Sequence, residues 1–228
     1  MAEPLLCELH AHTTWSDGAL TVRELVDLYG RAGFDVLAVT DHAPGGITAA
    51  DFAAYLEDIE TEAERAASRY GLLVLPGLEL TYEDPDPRRA AHALAVGLRT
   101  FAGLDRGLDH ALATARARGA ALIAAHPYAL AAVAGAPRTT ARFAEEREWA
   151  AQAVDRFEIC NRHDFFEWVA RDRLPVVATG DFHRPEHLAT WKTVLTAGKS
   201  EEAVVDYLRS RRPVSLALAQ PAALDRAA

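Results

Sequence analysis

Cysteine is scarce in this chain of 228 residues, with Cys7 and Cys160 each set inside an apolar run. Two thiols cannot build a disulfide framework, so a small cross-linked secreted scaffold is excluded and reduced, buried thiols are expected. Lysine is scarce too: Lys192 and Lys199 are the only two, both late in the chain. No uninterrupted apolar run approaches the roughly 18 to 20 residues that cross a bilayer. The opening MAEPLLCELHAH lacks the basic-then-apolar pattern of a signal peptide. A cytoplasmic protein with no membrane partner is the expectation. Positive charge is in the minority, 24 Lys and Arg against 33 Asp and Glu, for a net charge of −9. That balance argues against duplex nucleic acid as a partner and suits a host for cations. P-loop, dinucleotide fingerprint, zinc-ribbon cysteine spacing and G-x-S-x-G elbow are all missing.

What is present is an ordinary globular composition, half hydrophobic and a quarter charged, which excludes disorder for the bulk of the chain. Short apolar runs at residues 5–10, 35–40, 72–80, 92–98, 120–125, 156–160 and 175–180 read as strands, with a last run at 214–218. Helical patterns fill most of the gaps, at 21–32, 48–70, 104–118, 139–154 and 200–212. Thr21 and Glu24 stand in capping-box spacing, and Gly33, Gly71 and Gly119 stand where helices stop. Strands alternating with helices predict a parallel α/β sheet, open or closed into a barrel. No repeat, linker or composition break divides the chain, so one domain over residues 1–228 is expected.

Six of the nine histidines fall at strand ends: His10, His12, His42, His92, His126 and His183. Asp17, Asp41, Glu79 and Asp181 accompany them. In parallel α/β folds these ends converge on a ligand. A side-chain period of two puts His10 and His12 on one side, and Asp181 and His183 likewise. A lone strand-end histidine is usually satisfied locally. So many titratable groups together need compensating positive charge, which metal cations supply.

The chain resembles the PHP (polymerase and histidinol phosphatase) family of metal-dependent phosphoesterases. The matching residues are His10-Ala-His12, Ser16-Asp17-Gly18, Thr40-Asp41-His42, Pro76-Gly77-Leu78-Glu79, His92, Ala125-His126-Pro127 and Gly180-Asp181-Phe182-His183-Arg184-Pro185. They span about residues 5–215. The resemblance implies a distorted (β/α)7 barrel with two or three divalent metal ions, Mn, Fe or Zn. His10, His12, Glu79 and Asp181 would hold one ion. A bridging Glu79 with His92 and His126 would hold a second, and Asp17, His42 and His183 a third. Where some members have His, this chain has Asp17, a harder ligand that tilts the third site toward Mn, Fe or Mg-like ions. Asp41 reads as an acceptor for a ligand histidine.

The resemblance implies hydrolysis of a small phosphomonoester or nucleotide phosphate, and metal-pair chemistry supplies the nucleophile, a hydroxide held between ions. Asp17 or His183 is placed to pass a proton to the leaving oxygen, and Arg162 and Arg184 are candidate phosphate forks. Arg88, Arg89 and His163 are further candidates at the rim; His110 and His187 read as structural or surface. Trp15, Tyr82 and Tyr128 could stack on a ring, although loop packing explains them as well. Residues 82–89 and 128–140 are the available lids, so an open site is expected. The string His183-Arg184-Pro185-Glu186-His187 matches an inverted zinc-peptidase motif, but Pro185 keeps His183 out of a helix. Three other readings remain open. Amidohydrolases also begin with His-x-His, but often need a lysine between the metals, whereas here Glu79 takes that place. The two others are a PHP-like hydrolase of carboxylic esters or carbamates and a non-catalytic metal-binding regulatory module.

Overall fold

The structure, a computed structural model, describes residues 3–130 and 140–219. β1 (Pro4–Glu8) leads through α1 (Val22–Arg31) to β2 (Val36–Val39). The two-residue β3 (His42–Ala43) follows, and α2 (Phe52–Tyr70) returns the chain to β4 (Leu73–Tyr82). β5 (Ala91–Val96), α3 (Leu108–Ala117), β6 (Ala121–Ala125), α4 (Arg142–Glu145) and α5 (Arg147–Ala153) come next. β7 (Arg156–Asn161), β8 (Asp164–Phe165), α6 (Glu167–Arg171) and β9 (Val176–Thr179) continue the chain. It ends with β10 (Trp191–Thr196), α7 (Glu201–Arg209) and β11 (Ser215–Leu218).

The sheet is mixed, which corrects the parallel expectation. β1, β2 and β4 run parallel, as do β6, β7 and β9. β5 is antiparallel to both neighbours, and β10 is antiparallel to β1 and β11. The segments between β4 and β5 and between β9 and β10 carry no α-helix, so the chain turns back where a crossover would need a dozen residues or more. The α/β fold is thus a curled mixed half-barrel in the order β11-β10-β1-β2-β4-β5-β6-β7-β8, with β3 on β4 and β9 on β7.

Local chemistry sets the helices. In α1 the Thr21 hydroxyl accepts from the Glu24 N–H and the Glu24 carboxylate accepts from the Thr21 N–H. Such a cap contributes about 1 kcal/mol. Val22, Leu25, Val26 and Tyr29 form its buried stripe. The single helix expected at 139–154 is two, because Glu146 leaves helical geometry at φ −111° and ψ 56°. The break lets Phe143 and Trp149 stack with ring centroids 5.5 Å apart.

Alternation along the strands feeds two cores. Leu37, Val39 and Val74 join the helices in an outer cluster. Val36, Ala38, Leu75, Leu94, Ile123 and Val177 form an inner one with Val204, Val205, Tyr207 and Leu208 of α7. The α7 side chains thus plug the curled sheet from its inner side. Arg156, 1% exposed, holds that plug: its guanidinium donates to the carbonyls of Val176, Tyr207, Leu208, Ser210 and Arg212. Cys7 and Cys160 are free, buried thiols.

At the seam between β9 and β10 a side chain replaces the ladder. Thr193 Oγ1 accepts from Ala178 N–H at 2.9 Å and donates to Ala178 O at 2.8 Å. Above it, an isolated parallel bridge joins Ala11 to Phe182.

Candidate metal centre

That bridge brings two site-bearing loops together. The His12 N–H donates to Phe182 O at 2.8 Å, and the Phe182 N–H to His10 O at 3.0 Å. Ala11 and Phe182 point into the outer core, so the residues on either side of each face the centre. Leu5, Cys7 and Leu9 belong to the inner core and Ala11 to the outer one, so the alternation slips between Leu9 and His10. Glu8 covers the slip: its carboxylate accepts the N–H of Leu9 (3.1 Å) and of His10 (3.2 Å). Other strand ends turn abruptly. His126, Arg162 and Asp181 all have positive φ (28°, 51° and 42°) just past β6, β7 and β9. Non-glycine residues rarely hold this conformation, and it concentrates at functional sites.

Glu79, fully buried on β4, is the hub. Its Oε1 lies 3.1 Å from His92 Nδ1 and 3.0 Å from His126 Nε2. Its Oε2 lies 3.4 Å from both His10 Nε2 and His12 Nε2, and 2.9 Å from His42 Nδ1. Asp181 Oδ1 sits 3.5 Å from the same two Nε2 atoms of His10 and His12. Asp17 Oδ1 faces His183 Nε2 (3.3 Å), His42 Nε2 (3.5 Å) and His12 Nδ1 (3.8 Å). Four overlapping sets thus have ligand atoms within 4.8 Å of one another: His10, His12 and Glu79; His10, His126 and Asp181; Glu79, His92 and His126; His12, Asp17, His42 and His183. All nine residues singled out as ligands in the sequence meet here, and His12 adds itself to the Asp17 set.

Among the described residues, His10 Nε2, His12 Nδ1, His12 Nε2 and Glu79 Oε2 are buried with no well-aligned hydrogen bond, Glu79 Oε2 having only the 2.9 Å approach of His42 Nδ1. Orphaned buried polar atoms are costly. Imidazole nitrogens with carboxylate oxygens suit Mn, Fe or Zn, so the donor set fits divalent cations. Without a cation the acids and imidazoles compensate one another. Burial works against charge on Glu79, yet the surrounding imidazoles, His10 foremost, hold its carboxyl well below the usual range. Burial likewise lowers His10, but Asp181, Glu79 and Glu158 outweigh it and raise its pKa.

Residues 8–157 match the PHP domain family model. The chain belongs to the PHP domain family. It is 32% identical over 87 residues to the DNA polymerase/3′-5′ exonuclease PolX of Bacillus subtilis, covering 34% of this chain and 15% of that one. It is 33% identical over 124 residues to the 3′,5′-nucleoside bisphosphate phosphatase of Chromobacterium violaceum, covering 52% of this chain and 38% of the relative. This PHP chain therefore spans well under half the length of either. Among solved structures, a two-domain protein from Bacteroides vulgatus containing a predicted PHP-like metal-dependent phosphoesterase shares the fold. Its TM-score is 0.71 at 20% identity, over 99% of this chain and 69% of that one.

The PHP centre rests on residues that the sequence reading passed over. Glu158, buried on β7, lies 2.8 Å from His10 Nδ1 and accepts from the Thr179 hydroxyl (2.6 Å), Asn161 Nδ2 (2.7 Å) and His126 N–H (2.6 Å). Glu8 pairs with the buried Lys192 and accepts from Tyr29 Oη and the Gly180 N–H. Glu83 lies 2.8 Å from His92 Nε2. The available signal was a lone acid inside an apolar strand run, in Cys7-Glu8-Leu9 and Phe157-Glu158-Ile159.

Asp41 corrects its expectation. It accepts from Thr13 N–H (2.7 Å), Thr13 Oγ1 (2.8 Å) and Ser16 Oγ (2.6 Å), so it fixes the loop after His12 and not an imidazole. Arg162 stands in the centre: Nη2 lies 3.1 Å from Asp181 Oδ2 and 2.8 Å from His183 Nδ1. Arg184 is exposed, with Nε 3.4 Å from His187 Nε2. Arg88 and Arg89 are exposed and pair with Asp86 and Asp84. Trp15 donates to Asp58 and packs edge-on against Tyr55, which is loop packing. Tyr82 also packs against the outer core. Pro185–Leu188 forms a short 3-10 turn, with His183 ahead of it. Of the loop at 128–140, residues 131–139 lie outside the described residues.

Proposed function

We propose that this PHP chain hydrolyses a small phosphomonoester or nucleotide phosphate with two to three divalent ions, Mn, Fe or Zn. One observation carries the reading: the two oxygens of a buried Glu79 are divided between two sets of imidazoles. His10, His12, Glu79 and Asp181 would hold one ion, Glu79, His92 and His126 a second, and Asp17, His42 and His183 a third. Bound there, the ions supply Lewis acidity toward phosphoryl oxygens and a lowered water pKa. We also read the curled sheet as the distorted (β/α)7 barrel of one domain, residues 1–228 with its core at about 5–215. The common inner cluster supports that reading.

The chain's own groups complete the chemistry. Arg162 is partly exposed and pinned by Asp181 and His183, so its fork meets a phosphate without first being ordered. Arg184 offers a second cation from the rim. Asp17, more than half exposed beside His183, would relay to the leaving oxygen the proton given up by the attacking water. With no helix among the described residues long and apolar enough to cross a membrane, we keep a cytoplasmic assignment as part of the proposal.

Metal analysis of the purified protein is the first test. A panel of phosphomonoesters, nucleotides, single-stranded nucleic-acid ends and aryl esters, assayed with added Mn, is the second. Bound metal with phosphate release supports the reading. Ester or carbamate cleavage without phosphate release would replace it with the carboxyl-hydrolase alternative, and metal binding without turnover would point to a regulatory module.

A further inference from the structure

Three large apolar side chains stand exposed among the described residues: Phe165 (59%), Trp191 (41%) and Leu218 (50%). They converge on one place. Phe165 and Trp191 line a cavity of about 290 Å³ with Cys160, His163, Asp164 and Leu216. Leu218 is the ladder partner of Trp191 across β10 and β11. Contiguous exposed apolar side chains rimmed by polar residues mark ligand-binding grooves or interaction sites.

One step along the chain and one chain of contacts lead from the cavity to the metal centre. His163 follows Arg162, whose guanidinium reaches Asp181 and His183. Asp164 accepts the hydroxyl hydrogen of Tyr128, whose ring centroid is 6.4 Å from that of His126. One lining residue of the cavity is thus the chain neighbour of Arg162, and another is hydrogen-bonded to a residue beside His126.

We propose that this cavity is the base subsite of a nucleotide substrate, with the ring against Trp191 and Phe165 and the phosphate at Arg162 and the metal centre. The inference rests on the phosphoesterase reading and narrows it to ring-bearing substrates. Tryptophan and phenylalanine stack on any flat ring. His163 and Asp164 add polar atoms for the edge of a base, which an alkyl chain would leave unused. The volume lies at the small end for ligand sites, enough for one ring and too little for a folded polymer.

The test compares kcat/KM of the Mn-loaded protein for adenosine 5′-monophosphate and ribose 5-phosphate, which share the phosphomonoester and differ by the base. A preference of about tenfold for the nucleotide is expected, expressed in KM. Trp191→Ala and, separately, Phe165→Ser should erase most of it; Phe165 is the more exposed, so its variant guards against a folding defect. Independently of turnover, adenosine should quench part of the tryptophan fluorescence in the parent and not in Trp191→Phe. Equal use of both substrates, or a preference that survives both variants, overturns the subsite and leaves the phosphoesterase reading standing. Hydrolysis of neither, with phosphate released from another member of the panel, also overturns the subsite alone; no phosphate release from any of them overturns both.

Discussion

Glu158 holds His10 from behind: its Oε1 lies 2.8 Å from Nδ1, on the opposite edge of the ring from the Nε2 that faces Glu79 and Asp181. A carboxylate in this position fixes the tautomer of a ligand histidine and raises its basicity. Glu158→Gln keeps the shape and removes the charge. Metal affinity is expected to fall by about 10- to 100-fold, measured by competition with a chelating dye, while the circular dichroism spectrum stays the same. Unchanged affinity would show that Glu158 only ties loops together.

Glu79 and Asp181 are expected to be indispensable for turnover. Glu79→Ala and Asp181→Ala should each lower the rate by at least about 10³-fold, with the fold retained. Asp181→Ala also frees Arg162 from one of its anchors, so KM for phosphate-bearing substrates should change along with kcat. Near-parental rates in either variant would contradict the assignment.

Gly180 sits against a buried ion pair. A Cβ there would overlap Lys192 Nζ and Glu8 Oε2, neither of which is a free surface tip. Burial depresses the Lys192 pKa, and Glu8 opposes that shift. Gly180→Ala is therefore expected to cost about 1 to 3 kcal/mol in urea unfolding. It should also displace Asp181, the next residue, and so reduce activity. A variant with parental stability would show that the pair can move.

The pH dependence of the metal-free protein has a definite sign. Burial lowers the His92 pKa, but Glu79 and Glu83 more than offset it and hold it at about 9, above the ordinary 6.5. The stability that protonated His92 provides is complete below pH 6.5 and is lost as pH rises through about 9. Burial, with the charges of Arg162 and His183, pushes His187 down to about 4. Its contribution runs the other way: complete above pH 6.5, lost as pH falls through about 4. Melting of chelator-treated protein should thus be highest near pH 6.5. Metal uptake should strengthen toward pH 9 and release protons, readable by calorimetry in buffers of different ionisation enthalpy. A Tm of the metal-free protein that climbs steadily from pH 7 to 9 would refute this.

Much of the centre was legible in the sequence because strand alternation is a local rule. His-x-His and Asp-x-His each put two side chains on one side, and the bridge of Ala11 to Phe182 makes those sides face each other. Asp41 was misread because its partners, Thr13 and Ser16, are set by a loop conformation that no spacing encodes. The helix break at Glu146 was missed because it goes with the stacking of Phe143 on Trp149, a contact that helical periodicity does not encode. The mixed sheet was missed although no helical pattern lies between residues 80 and 92, because the alternation elsewhere was extended to the whole chain.

By itself the sequence determined the α/β alternation, the caps at Thr21 and Gly71, and the set of nine imidazole and acid side chains. These follow from backbone geometry and ligand chemistry, both of which act within a few residues. Only the tertiary structure decided which oxygen of Glu79 faces which histidines, that Glu158 and the Glu8–Lys192 pair lie behind them, and that Phe165, Trp191 and Leu218 share one surface. Those relationships join strands far apart in the chain, and they exist only because the curled sheet brings β1, β7, β9 and β10 together around one core.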